Sequence, residues 1–343
     1  MLKGLTARRE AILKIIVSEY IDTAVPVASE TIFRNYKLGV SPATIRNDMA
    51  YLEEEGYIAR PHTSAGSVPL DKGYRHYVES LTRKSELDRQ EQERIRKLFR
   101  EVEKEFEKWL KLAAAIAASL VKNAALVTLP KPRRCRFKHL ELVALQEYMA
   151  LMVLVLGEAI LKRQVVSFEK QITQERLTMM SNKLNSVFSG FASSQISASK
   201  LELTSEEAHV TEAVIDMMSA EDELEYEQPY LEGLRLMLGQ PEFAEKDRML
   251  SIMELMETKD WLSSAFGRRA DDFGIQVVIG EENRNATLHD LSLVFSRYGI
   301  PDQIGGTIGI IGPTRMNYRR AISTVDYISR ILSDLVASVS RND

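Results

Sequence analysis

A single cysteine, Cys135, in 343 residues leaves no intrachain disulfide and no cysteine-rich metal site, which suits a reducing, cytoplasmic compartment. Long apolar runs are also missing. The most apolar stretch, Leu142 to Leu161, is interrupted by Gln146, Glu147 and a turn-like Gly157-Glu158, so it reads as strands and no membrane partner is expected. The N-terminus is charged within its first ten residues and lacks the apolar stretch of a secretory signal. Neither charge sign dominates: 45 Lys and Arg face 49 Asp and Glu, a net of −4, which argues against indiscriminate coating of nucleic acid. Histidine is sparse, with His62, His76, His139, His209 and His289 scattered and no HExxH pair among them. The glycine-rich run Gly305 to Gly312 has neither GxGxxG spacing nor a GK[ST] end, and is read as a glycine-containing strand. No nucleophile, base and oxyanion set can be assembled, so the chain is not read as an enzyme and no cofactor or metal is expected.

What the chain does have is concentrated in residues 41 to 69. Ser41 is a good N-cap and Pro42 suits the first helical position, where its missing N–H was unpaired anyway. Ile45, Met49 and Leu52 recur at i, i+4 and i+7 and so form one stripe that must face a core, and Gly56 closes the helix. At 100° per residue the opposite face carries Ala43, Asn47, Ala50 and Glu54, flanked by Thr44, Arg46 and Tyr51. Small and hydrogen-bonding residues there allow a helix end to enter a major groove, where bulk would hold it off the bases. Two helices are expected before it: residues 7 to 22, capped by Thr6 and striped by Ile12, Leu13, Ile16, Val17 and Tyr20, and Ser29 to Tyr36. After it, Tyr57 to Arg60 reads as a short strand, and Pro61, Gly66 and Pro69 bound a loop of His62, Thr63, Ser64 and Ala65 whose N–H groups and hydroxyls could approach phosphates. This order predicts a winged helix-turn-helix with the third helix as reader.

Charge alone does not mark this head as a DNA binder, because residues 1 to 80 hold ten basic and ten acidic side chains. Patch geometry must supply the phosphate attraction, with Arg46, Arg60, Lys72 and Arg75 toward the duplex and Glu53-Glu54-Glu55 pointing away. The candidate DNA-contacting residues are therefore Ser41, Ala43, Thr44, Arg46, Asn47, Tyr51, Arg60, His62, Thr63, Ser64, Gly66, Lys72 and Arg75.

Further along, apolar positions from Ile95 through Leu98, Phe99, Val102, Phe106, Trp109, Leu110, Ala113 and Ile116 to Leu120 predict one long helix. A buried strand is expected at 124 to 129. The basic cluster Lys131, Arg133, Arg134, Arg136 and Lys138 reads as a solvated inter-domain loop. A three-stranded meander follows at about 139 to 145, 149 to 156 and 160 to 167, then helices near 173 to 190 and 204 to 219 and an acidic boundary at 221 to 227. Helices are expected near 229 to 238, 242 to 257 and 259 to 268, strands near 274 to 280, 291 to 297 and 305 to 311, and a closing amphipathic helix from Arg315 to Val339. The turn Gly312 to Met316 reads as a structural turn that packs domains together, although an arginine beside a helix N-terminus could hold an anion.

The run SPATIRNDMAYLEEEGYIARPHTSAG at 41 to 66, followed by DKGYRHYVE at 71 to 79, resembles the heat-inducible transcription repressor HrcA family, and IGPTRMNYRRAISTVDYI at 311 to 328 is similar to that family's C-terminal motif. The resemblance implies an α+β multidomain fold: a winged-helix DNA-binding domain at 1 to 82, a discontinuous GAF-like α+β domain at 83 to 136 and 226 to 343, and an inserted α/β dimerisation domain at 137 to 225. It also implies a homodimer on double-stranded DNA at an inverted-repeat operator of chaperone operons, kept active by a GroEL-type chaperonin that misfolded protein occupies under stress. An alternative is a small-molecule-responsive regulator with the GAF-like domain as ligand sensor, which would need an apolar cavity with a few convergent polar groups. The family usually has an arginine after the wing glycine, where this chain has Ser67. A groove or phosphate contact by that arginine would mean that Ser67→Arg tightens DNA binding here.

Overall fold

The computed structural model describes residues 5–62, 65–81, 87–102, 105–132, 135–157, 160–223, 229–258, 261–262, 274–301 and 303–339. They form two compact units, one comprising Met1–Pro130, Gln228–Ile300 and Gly306–Asp343 and the other Lys131–Glu227 and Pro301–Gly305. The chain is an α+β multidomain protein.

The first unit opens with helices α1 (Ala7–Thr23), α2 (Ser29–Asn35) and α3 (Pro42–Glu54). Thr6 caps α1 by accepting from Arg9 N, and Ser41 caps α3 by accepting from Thr44 N at 3.2 Å. Ile12, Leu13, Ile16 and Val17 of α1 bury fully against Ile32 of α2 and Ile45 and Leu52 of α3, so the head core is built from the stripes the spacing predicts. Strands β1 (Ile58–Ala59) and β2 (Val68–Pro69) pair antiparallel to make the stem of the wing, and α4 (Asp71–Ser80) follows.

The rest of this unit holds α5 (Arg89–Glu101), α6 (Phe106–Val121) and β3 (Ala124–Val127). The single long helix expected from Ile95 to Leu120 is thus two helices. The backbone turns extended at Val102, and α6 restarts after Glu105 although the apolar spacing continues across the break. After the second unit, β8 (Tyr230–Glu232), α10 (Leu234–Leu238), α11 (Lys246–Glu257), β9 (Gln276–Ile279), β10 (Leu291–Ile300), β11 (Ile304–Pro313) and α12 (Tyr318–Val339) complete the body. Residues 230 to 232, expected as helix, are a strand because Ala125, Leu126 and Val127 of β3 take them as ladder partners. The sheet order is β8-β3-β11-β10-β9, with antiparallel registers such as Ile308↔Val127 and Leu293↔Val278. Helices α6 and α12 cover one face, and β10 is buried from Leu291 to Gly299, so both of its faces are covered. Most of the helix expected near 259 to 268 lies outside the described residues.

The second unit begins with β4 (Lys131–Pro132) and holds the meander β5 (Phe137–Gln146), β6 (Met149–Leu156) and β7 (Leu161–Ser167), then α7 (Gln174–Phe188), α8 (Ser193–Ser197) and α9 (Ser205–Glu223). Burial along β6 alternates strictly: Ala150, Met152, Leu154 and Leu156 face the helices and Met149, Leu151, Val153 and Val155 face away. Met180 and Leu184 of α7 fill the interior of this unit. The free edge of β5 is covered by side-chain amides: Asn185 exchanges hydrogen bonds with the Leu140 backbone at 2.7 and 2.9 Å, and Gln174 bridges Leu142 O and Ala144 N at 2.9 and 2.7 Å.

Candidate nucleic-acid interface

Along α3, Ile45, Met49 and Leu52 are buried, while Ser41, Ala43, Arg46, Asn47, Ala50 and Glu54 are exposed. Arg46 and Asn47 have no partner among the described residues, so their donors are available to a ligand. The helix ends as Gly56 N donates to Glu53 O at 3.0 Å and Tyr57 N to Leu52 O at 2.9 Å, which turns the chain directly into β1. Thr44 is half-buried, with its hydroxyl 3.0 Å from that of Ser41. Tyr51 is half-buried beneath the Arg9 guanidinium, which stands 3.5 Å from the ring centroid.

Beside this face, Arg60 is exposed and its Nε lies 3.2 Å from Glu53. His62 is exposed, and its carbonyl accepts from Ala65 N at 3.0 Å to fold the loop back. Thr63 and Ser64 lie outside the described residues. Gly66 sits so close to the Pro26 and Val27 backbone that a Cβ would collide with it, so its role is to seat the wing on the head.

Three sequence expectations need correction. Lys72 does not point to a ligand: its Nζ donates to Glu55 O at 2.6 Å, satisfying a carbonyl at the end of α3, and lies over the Tyr57 ring. Arg75 is held by the body, with Nε 2.7 Å from Glu282 Oε1 and Nη2 2.8 Å from Val277 O, and the hydrogen-bonded Glu282 carboxylate raises its guanidinium pKa above the ordinary value. A guanidinium so engaged has little left for a phosphate. Ser67 is fully buried and exchanges backbone hydrogen bonds of 2.9 Å with Val27 in both directions, so this position faces into the head and offers no groove contact.

The partners of these groups define a second surface of the head. Asp71 Oδ2 accepts from Glu281 N at 2.8 Å, Tyr74 packs on Tyr318 at 5.8 Å between centroids, and Arg315 donates to Ile21 O at 2.7 Å while pairing with Glu242. The expected packing role of the 312 to 316 turn is thereby carried by Arg315, which joins the last turn of α1 to the body. Asp48, Arg8 and Arg9 were not singled out by sequence reasoning, yet they form a cluster in which the buried Asp48 of α3 holds the partly exposed Arg8 and Arg9 of α1. Burial alone would raise the Asp48 carboxyl, but hydrogen bonds from Arg8 and Arg9 outweigh it and hold it below the usual value. Its place at i+3 from the stripe residue Ile45 was the available signal. Among the described residues there is no group of three or more His, Cys, Asp or Glu placed to hold a metal, and no helix long and apolar enough to cross a membrane.

Comparison with known proteins bears on both regions. Residues 36–69 match the DeoR-like helix-turn-helix domain, and residues 107–322 match the HrcA protein C terminal domain. The heat-inducible transcription repressor HrcA of Dehalococcoides mccartyi is 46% identical over 335 residues, covering 98% of this chain and 97% of that protein. The repressor of the same name from Chloroflexus aggregans is 39% identical, covering 98% and 94%. A solved structure described as a hypothetical protein superposes with a TM-score of 0.59 at 24% identity, covering 98% of this chain and 99% of that one, and so shares the fold. By the extent of these matches, the chain belongs to the HrcA family of heat-inducible transcription repressors.

Proposed function

We propose that this chain represses transcription by binding an inverted-repeat operator as a homodimer, each protomer inserting the N-terminal turns of α3 into a major groove. The observation that carries the reading is the exposed Ala43/Asn47 face with Arg46 at its border: a capped helix end that is small, polar and unpartnered where the neighbouring cations Lys72 and Arg75 are engaged. A homodimer follows from the chemistry of reading, since one head spans only a short half-site and two heads related by a two-fold require a palindrome. The second unit supplies a surface for it. Val143, Leu151 and Val165 lie side by side across β5, β6 and β7, with Val153, Val155 and Leu161 beyond, on the sheet face turned away from its own helices. Pairing two copies of this face would remove that apolar area from water.

The body is proposed to be the GAF-like domain and the second unit the inserted dimerisation domain. The chaperone operons and the GroEL-type chaperonin enter from the family resemblance. The cytoplasm is the compartment in which such a regulator acts. The test is protection of the promoter of this chain's own operon in a footprint, alongside sedimentation of Leu151→Asp. A palindromic footprint with the wild-type dimer, and a monomer with at least about 100-fold weaker operator binding for the variant, is expected from burying a charge in the paired face. A footprint on one half-site only, or a variant that remains a tight dimer, would overturn the homodimeric form of the proposal.

A further inference from the structure

Three rows run along α3. Between the buried Ile45/Met49/Leu52 row and the exposed Ala43/Asn47/Ala50/Glu54 row lies a third at i, i+4 and i+7: Thr44, Asp48 and Tyr51. Asp48 is only 3% exposed, an unusual place for a carboxylate, and both its oxygens are taken by α1. Arg8 Nε donates to Oδ2 at 2.6 Å and its Nη2 to Oδ1 at 3.3 Å; Arg9 Nε donates to Oδ1 at 3.1 Å while its guanidinium lies on the Tyr51 ring. One carboxylate thus gathers two guanidiniums, and the cluster keeps a surplus positive charge. Helix packing alone would be served by a single matched pair.

The surplus faces outward. The Arg8 and Arg9 side chains are 47% and 28% exposed, and Nη1 of Arg8 and both Nη atoms of Arg9 have no partner among the described residues. Across the exposed row, the opposite border is held by Arg46 and Arg60. The reading row is therefore flanked by guanidiniums on both sides. A major groove about 12 Å wide is likewise flanked by two phosphate backbones.

We propose that Arg8 and Arg9 form a phosphate-binding site on the Tyr51 border of α3, with Asp48 as the positioning residue that aims both guanidiniums at one backbone of the duplex. This rests on the DNA-binding reading above and gives α1 a contact role in addition to its packing stripe. Phosphate geometry favours such a planar, pre-oriented donor set.

The test measures binding of the full chain to mixed-sequence duplex DNA and to its own promoter as a function of salt. Arg8→Gln and Arg9→Gln are each expected to lower the salt slope by about 0.9 and to weaken both duplexes alike, because one released counterion is lost per phosphate contact. Arg9→Lys is expected to restore the slope by restoring the charge. Asp48→Asn gives the discriminating sign: removing a negative charge near DNA should tighten binding if Asp48 is only a counter-charge, whereas a positioning role weakens binding by about fivefold or more through loss of the charge-assisted hydrogen bonds. Unfolding curves report whether each variant is folded, and if Asp48→Asn fails to fold, the two exposed arginine variants decide. Failure of the wild-type chain to bind either duplex would overturn the DNA reading itself. Wild-type binding with unchanged slopes in both glutamine variants would overturn this site alone, and tighter binding by a folded Asp48→Asn would overturn the positioning role.

Discussion

The helices α3 and α4 lie in the same head and carry similar polar chemistry, yet their side chains meet opposite fates. On α3, Arg46 and Asn47 are exposed and unpartnered among the described residues. On α4, Asp71 and Arg75 are used up by residues more than 200 positions away, Glu281 and Glu282. A cation contributes to DNA affinity only if its donors are free when the duplex arrives. Under the proposed function, α3 carries the reading side of the head and α4 its docking side, and partner supply, more than charge, tells them apart.

The docking side is where the largest stability effect is expected. Arg315 has a side chain only 14% exposed and holds both Glu242 and Ile21 O. Arg315→Ala strands a carboxylate and an α1 carbonyl, so a loss of about 2–3 kcal/mol is expected, discounted from a fully buried pair because Glu242 retains some water. Gly280 supports the same surface. It has φ +49° and a Cβ there would collide with the Asp71 carboxylate, so Gly280→Ala should destabilise in the same direction. Denaturant unfolding of the two variants checks this, and a loss below about 0.5 kcal/mol in both would mean that the docking contacts do not hold the head.

On the reading side the expectation reverses. Asn47→Ala should leave unfolding unchanged, since the side chain is exposed and unpartnered, while discrimination between operator and scrambled duplex drops by roughly 1–3 kcal/mol. Competition binding with both duplexes measures the difference. A folded variant with undiminished discrimination would take base reading away from this row.

The reading side was the legible half because its determinants are local. The Ser41 cap, the Ile45/Met49/Leu52 stripe and the closing Gly56 act within one helix and its end, so periodicity alone places the exposed row. The engagement of Arg75 is not legible locally, because its partner lies 207 residues away and no local pattern announces it. The same limit bears on the continuous helix expected from 95 to 120: Val102 to Glu105 contain neither glycine nor proline, and apolar spacing carries across a break marked by extended backbone at Val102 and Glu105. In the second unit, strand alternation correctly separates two faces of β6, but it does not say which face the unit's own helices cover. Met180 and Leu184 of α7 fill the interior, whereas Leu151, Val153 and Val155 of β6 face outward.

The two sides can be separated without reference to sequence specificity. Arg60→Gln removes an exposed cation beside α3 and should lower the salt slope for duplex DNA by about 0.9, whereas Arg75→Gln should leave it unchanged and lower stability instead. Salt-dependent binding paired with unfolding of the same samples tests both halves. A reduced slope for Arg75→Gln would return that residue to the DNA interface and dissolve the contrast.

The smallest expected effect is a pH signature, because the buried Asp48 of α3 and the half-buried Asp71 of α4 are shifted in opposite directions. Burial, with Glu281 and Glu282 nearby, raises Asp71 despite its hydrogen bond from the Glu281 backbone. Folding therefore penalises its ionised form, and this contribution improves as pH falls from neutral through the raised value toward 3.8. Asp48 is the reverse: the arginine hydrogen bonds overcome burial and hold its folded value below 3.8, so its contribution is complete above that pH and is lost only as pH falls further. Asp71→Asn keeps an acceptor for Glu281 N and should flatten the pH dependence of stability above about 4, while Asp48→Asn should lower stability by a constant amount above that pH and change the slope only on the acid limb below it. Urea unfolding of both variants and the wild type from pH 7 downward reads the two windows separately. An Asp71→Asn profile that parallels the wild type above pH 4 would show that burial against the body places no strain on this carboxylate, and that the docking side of the head is wetter than its geometry implies.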